Sequence, residues 1–370
     1  MGKFLLRFFI LIIILIASFL IYLSYFGIET DRFDTLIKQK ANEVHQQVRL
    51  EFKKTKIHLN PKELNLTVKL QKPKILIKNN EINLSKIDLF LALKSFITSD
   101  FLLQRAEIAF IKNDIKDLTK ITNIFVPRII NKQIKKVFAK GEIQGEFIIP
   151  FNLDGTLAEN YEIYAKVLGA DININSDLKI NNLSTDIKYV FKSKNDKEIN
   201  FFINQGKILN LDLQKSSIDI NLKDDKKIIK SKIKTRGTSK YSEIKIISSL
   251  LGLDLSNIKN IKLTSNLETS IQIWINKGFK IADKVFSVEG KINDLSLEHK
   301  EFEGIKNFLP SYNSKIVLKD SELDFRSGNL LNLSGLIKFD KDFNNFRIRG
   351  STDKNFNLYG NINLNDLSVK

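Results

Sequence analysis

The sequence predicts a mainly β protein: an N-terminal transmembrane helix followed by an elongated, curved, mostly antiparallel β-sheet groove with a few short helices. Two observations carry this. From Ile261 to Ile275, alternate positions hold Ile261, Leu263, Ser265, Leu267, Thr269, Ile271, Ile273 and Ile275, while Lys262, Thr264, Asn266, Glu268, Ser270, Gln272 and Trp274 lie between them. Side chains alternate across a strand at period two, so this is one long strand with an aliphatic face and a wet face. At roughly 3.3 Å per residue it runs about 50 Å, against the usual ~5–6 residues of a strand. The second observation is a run of 21 residues without charge, Phe8 to Ile28.

That run is enough to cross a hydrocarbon core of about 30 Å as a helix rising 1.5 Å per residue. A cleaved signal sequence fits less well, because Ser24-Tyr25-Phe26 is not a small-residue cleavage site. Lys3 and Arg7 precede the run, and Glu29, Asp31, Arg32 and Asp34 follow it. By the positive-inside tendency the N-terminus is expected in the cytoplasm, with Tyr22 and Tyr25 in the outer aromatic belt. Residues 1–7 are then a cytoplasmic tail and 8–28 a single-pass transmembrane span, with the rest of the chain expected across the membrane.

Beyond the span, Phe33, Leu36, Ile37, Ala41, Val44 and Val48 recur at helical spacing, so 29–54 reads as an amphipathic juxtamembrane helix. Its apolar stripe is expected to close the end of a β-structure rather than to rest on lipid. Residues 55–370 form the β-groove. Ile57, Leu59, Leu64, Leu66, Val68 and Leu70 alternate around Pro61, and Pro73 suits a strand start. A short strand over 74–78 follows, then one over 82–93 with Leu89, Leu91 and Leu93 on one face, and one through Ala106, Ile108 and Phe110. Residues 113–138 change to helical spacing, with Pro127 splitting the segment. Strands resume with Ile172, Ile174, Leu178 and Ile180, with Leu209 to Leu213, and with Ile218, Ile220 and Leu222. Polar turns fall at Asn195-Asp196 and Asp224-Asp225. A helix over 241–251 is expected, capped by Ser239 and ended by Gly252.

A glycine flanked at two residues' distance by apolar residues occurs as Gly145, Gly290, Gly335 and Gly360. On the apolar face of a strand, a missing side chain lets the sheet bend or another group approach closely.

The net charge of +17 is carried by lysine far more than arginine. The lysines are spread through the strands, and arginine, the usual base reader, is scarce, so nucleic acid is not an expected partner. With no cysteine, thiolate chemistry and disulfides are excluded. His45, His58 and His299 lie far apart without metal-ligand spacing, and no nucleophile elbow, phosphate-binding loop or dinucleotide fingerprint is present. No catalytic, metal or cofactor residues are expected, and the protein reads as a non-enzyme.

The single N-terminal span, the segment Phe33-Asp34-Thr35-Leu36-Ile37, the early strands from Ile57 to Leu70, and alternating strands such as Val288-x-Gly290-x-Ile292-Asn293-Asp294-Leu295 resemble the AsmA-like proteins. The resemblance covers most of the chain and lies in architecture, not in a signature motif. It implies a single-pass inner-membrane protein of cell-envelope biogenesis, with the bulk of its chain in the periplasm, that holds or conducts phospholipid acyl chains along an apolar β-groove towards the outer membrane. Residues expected to line the groove are Leu64, Leu66, Val68, Leu89, Leu91, Ile172, Ile174, Ile218, Ile220, Ile261, Leu263, Leu267, Ile271, Ile273 and Ile275. The alternative is a TamB-like scaffold that assembles an outer-membrane partner protein by pairing along a strand edge.

Overall fold

The structure is a computed structural model and describes residues 2–44, 47–77, 80–95, 101–118, 137–152, 154, 156, 158–224, 226–251, 254–276, 280–300, 314–328, 330–338, 342–352 and 358–364. The chain is mainly β, as expected, and nineteen strands fall among the described residues. It forms two compact units: Met1–Lys135 with Glu142–Lys166 and Lys188–Lys194, and Lys136–Gly141 with Val167–Ile187 and Asn195–Lys370. The sequence reads 55–370 as one body, and no change of composition marks the division.

In the first unit, α1 (Gly2–Tyr25) is apolar, and its Leu6–Tyr25 stretch is long and apolar enough to cross a membrane. It starts and stops earlier than the predicted span. Phe26 and Gly27 close it by donating to the Tyr22 carbonyl at 2.8 and 3.2 Å, and Ile28 already belongs to β1 (Ile28–Thr30). The predicted juxtamembrane helix is also shorter. It is α2 (Asp34–Val44), and Val48 sits in β2 (Val48–Glu51), not on a helix.

The next strands are β3 (Lys54–Asn60), β4 (Asn65–Gln71), β5 (Lys74–Ile77) and β6 (Asn80–Ala92). β1 pairs with β3, β3 with β4, β4 with the C-terminal half of β6, and β5 with both β2 and the N-terminal half of β6, all antiparallel. The sheet continues through β7 (Leu103–Asp114) to β8 (Phe138–Pro150). Of the expected helical insertion over 113–138, residues 115–118 are helical, 113–114 still belong to β7, and 119–136 lie outside the described residues.

The core of this unit forms because α2 lies on the sheet. Phe33 and Ile37 pack against Ile57, Leu66, Val68, Leu70, Ile87, Leu89, Leu91 and Ala106, all buried. The apolar stripe of α2 thus meets the sheet through Ile37. At the start of the helix the Asp34 carboxylate accepts a hydrogen bond from the hydroxyl of Thr55, itself fully buried.

One charged side chain is buried on the other face of the sheet from this core. Asp88 is 8% exposed and lies in register between Lys69 and Glu107. Burial pushes its carboxyl above the usual range, and the nearby Lys86 and Lys69 only partly oppose this. A carboxyl whose folded pKa is raised contributes stability below its unfolded pKa, and that contribution is lost as pH rises through the folded value. Asp88→Asn is therefore expected to raise the urea midpoint at pH 7, with the gain over the parent vanishing on acidification below the ordinary carboxylate range. A lower midpoint at pH 7 would show that the ion pair with Lys86, at 3.6 Å, outweighs the burial of the charge.

After β9 (Tyr161–Asn173) and β10 (Lys179–Ser193), the second unit continues as a run of long antiparallel strands. They are β11 (Asp196–Ile208), β12 (Leu211–Lys223), β13 (Lys226–Lys240), β14 (Ile258–Ile275), β15 (Ile281–His299), β16 (Lys315–Arg326), β17 (Leu330–Lys338), β18 (Asn344–Thr352) and β19 (Leu358–Leu364). Each pairs with the next in chain order. The expected helix is α3 (Tyr241–Leu251), between β13 and β14. Its cap differs from the expected one: β13 runs through Ser239, and the Glu243 carboxylate accepts from the backbone N–H of Lys240. Gly252 lies outside the described residues.

A transverse line that holds three small residues, Gly237, Ser265 and Ser321, crosses this sheet. Leu211, Gly237, Ser265, Ile292 and Ser321 are successive register neighbours, and Gly335 packs on Ser321. Gly290 and Gly335 have φ of +137° and +153°, which side chains disfavour. A Cβ on Gly290 would lie 3.1 Å from the Cα of Leu267, and one on Gly335 would lie 2.6 Å from the Cα of Ser321. In the first unit, a Cβ on Gly145 would meet the ring of Phe110 at 3.0 Å. These glycines thus permit close approach of a neighbouring strand or ring, one of the two roles expected of them. Gly360 sits in β19 opposite Gly350.

At two of the bulges a serine hydroxyl bonds the backbone. Where β12 shifts register against β13, the Ser216 hydroxyl accepts from the N–H of Lys234 at 2.9 Å. In β16, the Ser321 hydroxyl donates to the Lys319 carbonyl at 3.0 Å. A bulge leaves one residue unpaired and increases local twist, and Ser216 and Ser321 are both buried.

Candidate functional site

The register of the second unit sorts its side chains onto two faces, because directly paired residues in a sheet point the same way. One row runs Phe201, Ile218, Ser231, Ile271, Phe286, and beside it lies Ile199, Ile220, Ile229, Ile273, Lys284. A third runs Leu267, Gly290, Leu323, Leu333, Ile348, and a fourth runs Thr269, Val288, Phe325, Leu331. Further along, Leu263 and Leu295 lead to Leu318 and Ile337, while Ile261 pairs with Leu297. The result is an aliphatic surface many strands wide.

This surface is not enclosed. Ile218, Ile220, Ile261, Leu263, Leu267, Ile271, Ile273 and Ile275 are each half-buried, as are Val288, Leu323, Phe325, Leu331 and Leu333. Parts of it are closed: Leu211, Leu213 and Ile292 on the same face are buried, and towards the C-terminal strands Leu318, Ile337 and Phe346 are buried against Leu295, Ile316, Leu333 and Ile348. Phe286 and Phe325 meet on the same face with ring centroids 5.5 Å apart.

The structure therefore divides the fifteen residues predicted to line a groove. The eight on β12 and β14 share this open face. Ile172 is half-buried and Ile174 is 51% exposed, on β9 and just beyond it. Leu66, Val68, Leu89 and Leu91 are corrected: they are 3, 0, 8 and 0% exposed beneath α2 and face no open surface. Leu64 is corrected too, since it lies in the turn between β3 and β4 with φ of +51° and 68% of its surface exposed. Residues that the sequence reading left out are Phe286, Val288, Leu323, Phe325, Leu331, Leu333 and Ile348. Their alternation was present, but in shorter runs than that of β14.

The opposite face is polar and charge-paired. Glu268 accepts from Lys232 at 2.6 Å and meets Lys234 at 3.2 Å, and the hydrogen bond from Lys232 holds its carboxyl below the usual range. Thr238 and Thr264 share a hydroxyl hydrogen bond of 2.9 Å. A depression of about 680 Å³ lies over Glu268, Glu289, Lys291, Glu322 and Asp324. On β13, Lys230, Lys232, Lys234, Arg236 and Lys240 fall at alternate positions on this face, so part of the lysine content that looked spread along the sequence is gathered here.

Among the described residues no cluster of His, Cys, Asp or Glu is arranged to hold a metal ion. What the arrangement offers is a surface: aliphatic on one side, hydrated on the other. Set against models of protein families, curated proteins and solved structures, the chain matches none of them.

Proposed function

We propose that the protein holds lipid acyl chains against the aliphatic face of its second unit, anchored to a membrane by α1, with headgroups left in water. The observation that carries this is the half-exposure of Leu267, Ile271 and Ile273 across a face that stays apolar over several strands. Each methylene moved out of water is worth about 0.8 kcal/mol, so shielding one acyl chain is worth on the order of 10 kcal/mol. Exposed contiguous apolar area of this kind marks an interaction surface. The AsmA-like resemblance supports placing the protein in the inner membrane, moving phospholipid through the periplasm towards the outer membrane.

The two faces of β14 supply the test. A photoreactive phenylalanine analogue at position 271 is expected to capture lipid in cells, whereas the same analogue at position 272 is expected to capture little, since the two side chains point to opposite faces. Equal capture at both positions, or capture of protein alone at 271, would overturn the lipid reading. Protein-only capture would favour the scaffold role.

A further inference from the structure

A second feature of the polar face is independent of the aliphatic one. The chain has nine arginines among its 59 basic residues, so arginine is the exception wherever it occurs. Two of the nine, Arg347 and Arg349, stand two residues apart on β18. Alternation places both on the polar face, with Cα atoms about 6.6 Å apart along the strand. Both side chains are exposed.

Their neighbours are hydrogen-bonding and uncharged. In register, Ser334 lies opposite Arg347 and Asn332 opposite Arg349. Arg347, Arg349, Asn332, Ser334 and Leu333 line a depression of about 390 Å³ with no carboxylate among its described residues, while Asn332 and Ser334 also border the depression over Glu322 and Asp324. The nearest acids in register are Glu322 and Asp324, one strand further away across Ser334 and Asn332. Asp324 is engaged by Arg326 at 3.4 Å. Among the described residues neither Arg347 nor Arg349 forms an ion pair.

Two adjacent guanidinium groups without a counter-charge repel each other, and each presents a planar fork of donors matched to a tetrahedral or planar oxyanion. A hydroxyl and an amide beside them add neutral donors. We propose that Arg347 and Arg349, with Ser334 and Asn332, form a binding site for a phosphate-class anion. Its source is either a phospholipid headgroup or a free phosphate compound. Because the site lies on the face opposite the aliphatic rows, it does not depend on the lipid reading.

The full chain in non-ionic detergent at about 0.15 M salt, where long-range attraction is screened beyond ~8 Å, is titrated with inorganic phosphate and, separately, with micelles containing short-chain phosphatidylglycerol. Binding of either probe is expected, weakened at least tenfold in the R347Q/R349Q double variant. Loss for inorganic phosphate identifies a free-anion site, and loss for phosphatidylglycerol alone identifies a headgroup site. An R347K/R349K variant restores charge but not the forks and is expected to recover only part of the affinity. Unchanged circular dichroism of both variants confirms the fold. No binding of either probe to the parent chain, equal binding by the glutamine variant, or full recovery by the lysine variant would each overturn the site.

Discussion

Replacing Leu267 and Ile271 together by aspartate is expected to reduce lipid capture from a photoreactive group at position 273 by at least tenfold, with the protein still accumulating in the membrane. The two side chains lie on β14, Leu267 beside Gly290 and Ile271 beside Phe286, so the carboxylates enter the middle of the aliphatic surface. Both positions are half-buried. In the empty protein the new charges reach water, and the fold bears only the loss of two partly exposed aliphatic groups. An acyl chain laid over them would have to strip that water, at several kcal/mol per charge, against about 0.8 kcal/mol gained per methylene. Since 1.4 kcal/mol is tenfold in affinity, one desolvated carboxylate is enough for the expected loss. The matched control places two aspartates on the wet face of the same strand, at Ser270 and Gln272. Capture from 273 that is indifferent to the first pair, or equally sensitive to both, would remove the support for acyl-chain binding at this face.

The contrast between β14 and β4 explains how far the sequence could be read. β14 extends from Ile258 to Ile275, and its alternation is so regular that the strand and its two faces were legible from Ile261 onwards, although it starts three residues earlier. Leu66, Val68, Leu89 and Leu91 show the same alternation, yet they are shut inside the first unit. Period-two patterning reports that one face is apolar; it does not report what lies on that face. The difference is made by Phe33, in the turn just before α2, and Ile37, in α2, which are remote in sequence from most of the strands they cover. Leu64 escaped for a local reason: the turn after Pro61 interrupts the register, so an apolar residue that continues the count falls outside the strand. Val48 was assigned to a helix because its spacing continues that of Val44, while pairing with Ile77 draws it into a strand. The arginine pair at 347 and 349 carried no sequence motif, and its setting appears only when β17 is placed beside β18.

Phe33 offers the second large effect. It is 2% exposed, belongs to the fully enclosed part of the core, and meets Phe101 with ring centroids 6.2 Å apart. Phe33→Ala removes an aromatic side chain from a packed interior, at about 3–5 kcal/mol for this kind of truncation. Native domains hold roughly 5–15 kcal/mol in total, so the first unit should lose much of its stability. Hydrogen exchange read peptide by peptide is the appropriate measurement, because the single tryptophan, Trp274, lies in the second unit and its fluorescence reports there. Protection should fall in β3, β4 and β6, whose buried residues Phe33 covers. Phe33→Leu, which keeps most of the apolar volume, should lose much less. If instead the stripe of α2 served to rest on lipid, Phe33→Ala would leave exchange in those strands unchanged and weaken only the association of α2 with the membrane. The burial of Phe33 and Ile37 against the sheet argues for loss of protection, since a side chain already enclosed by protein has no apolar surface left to give to a bilayer.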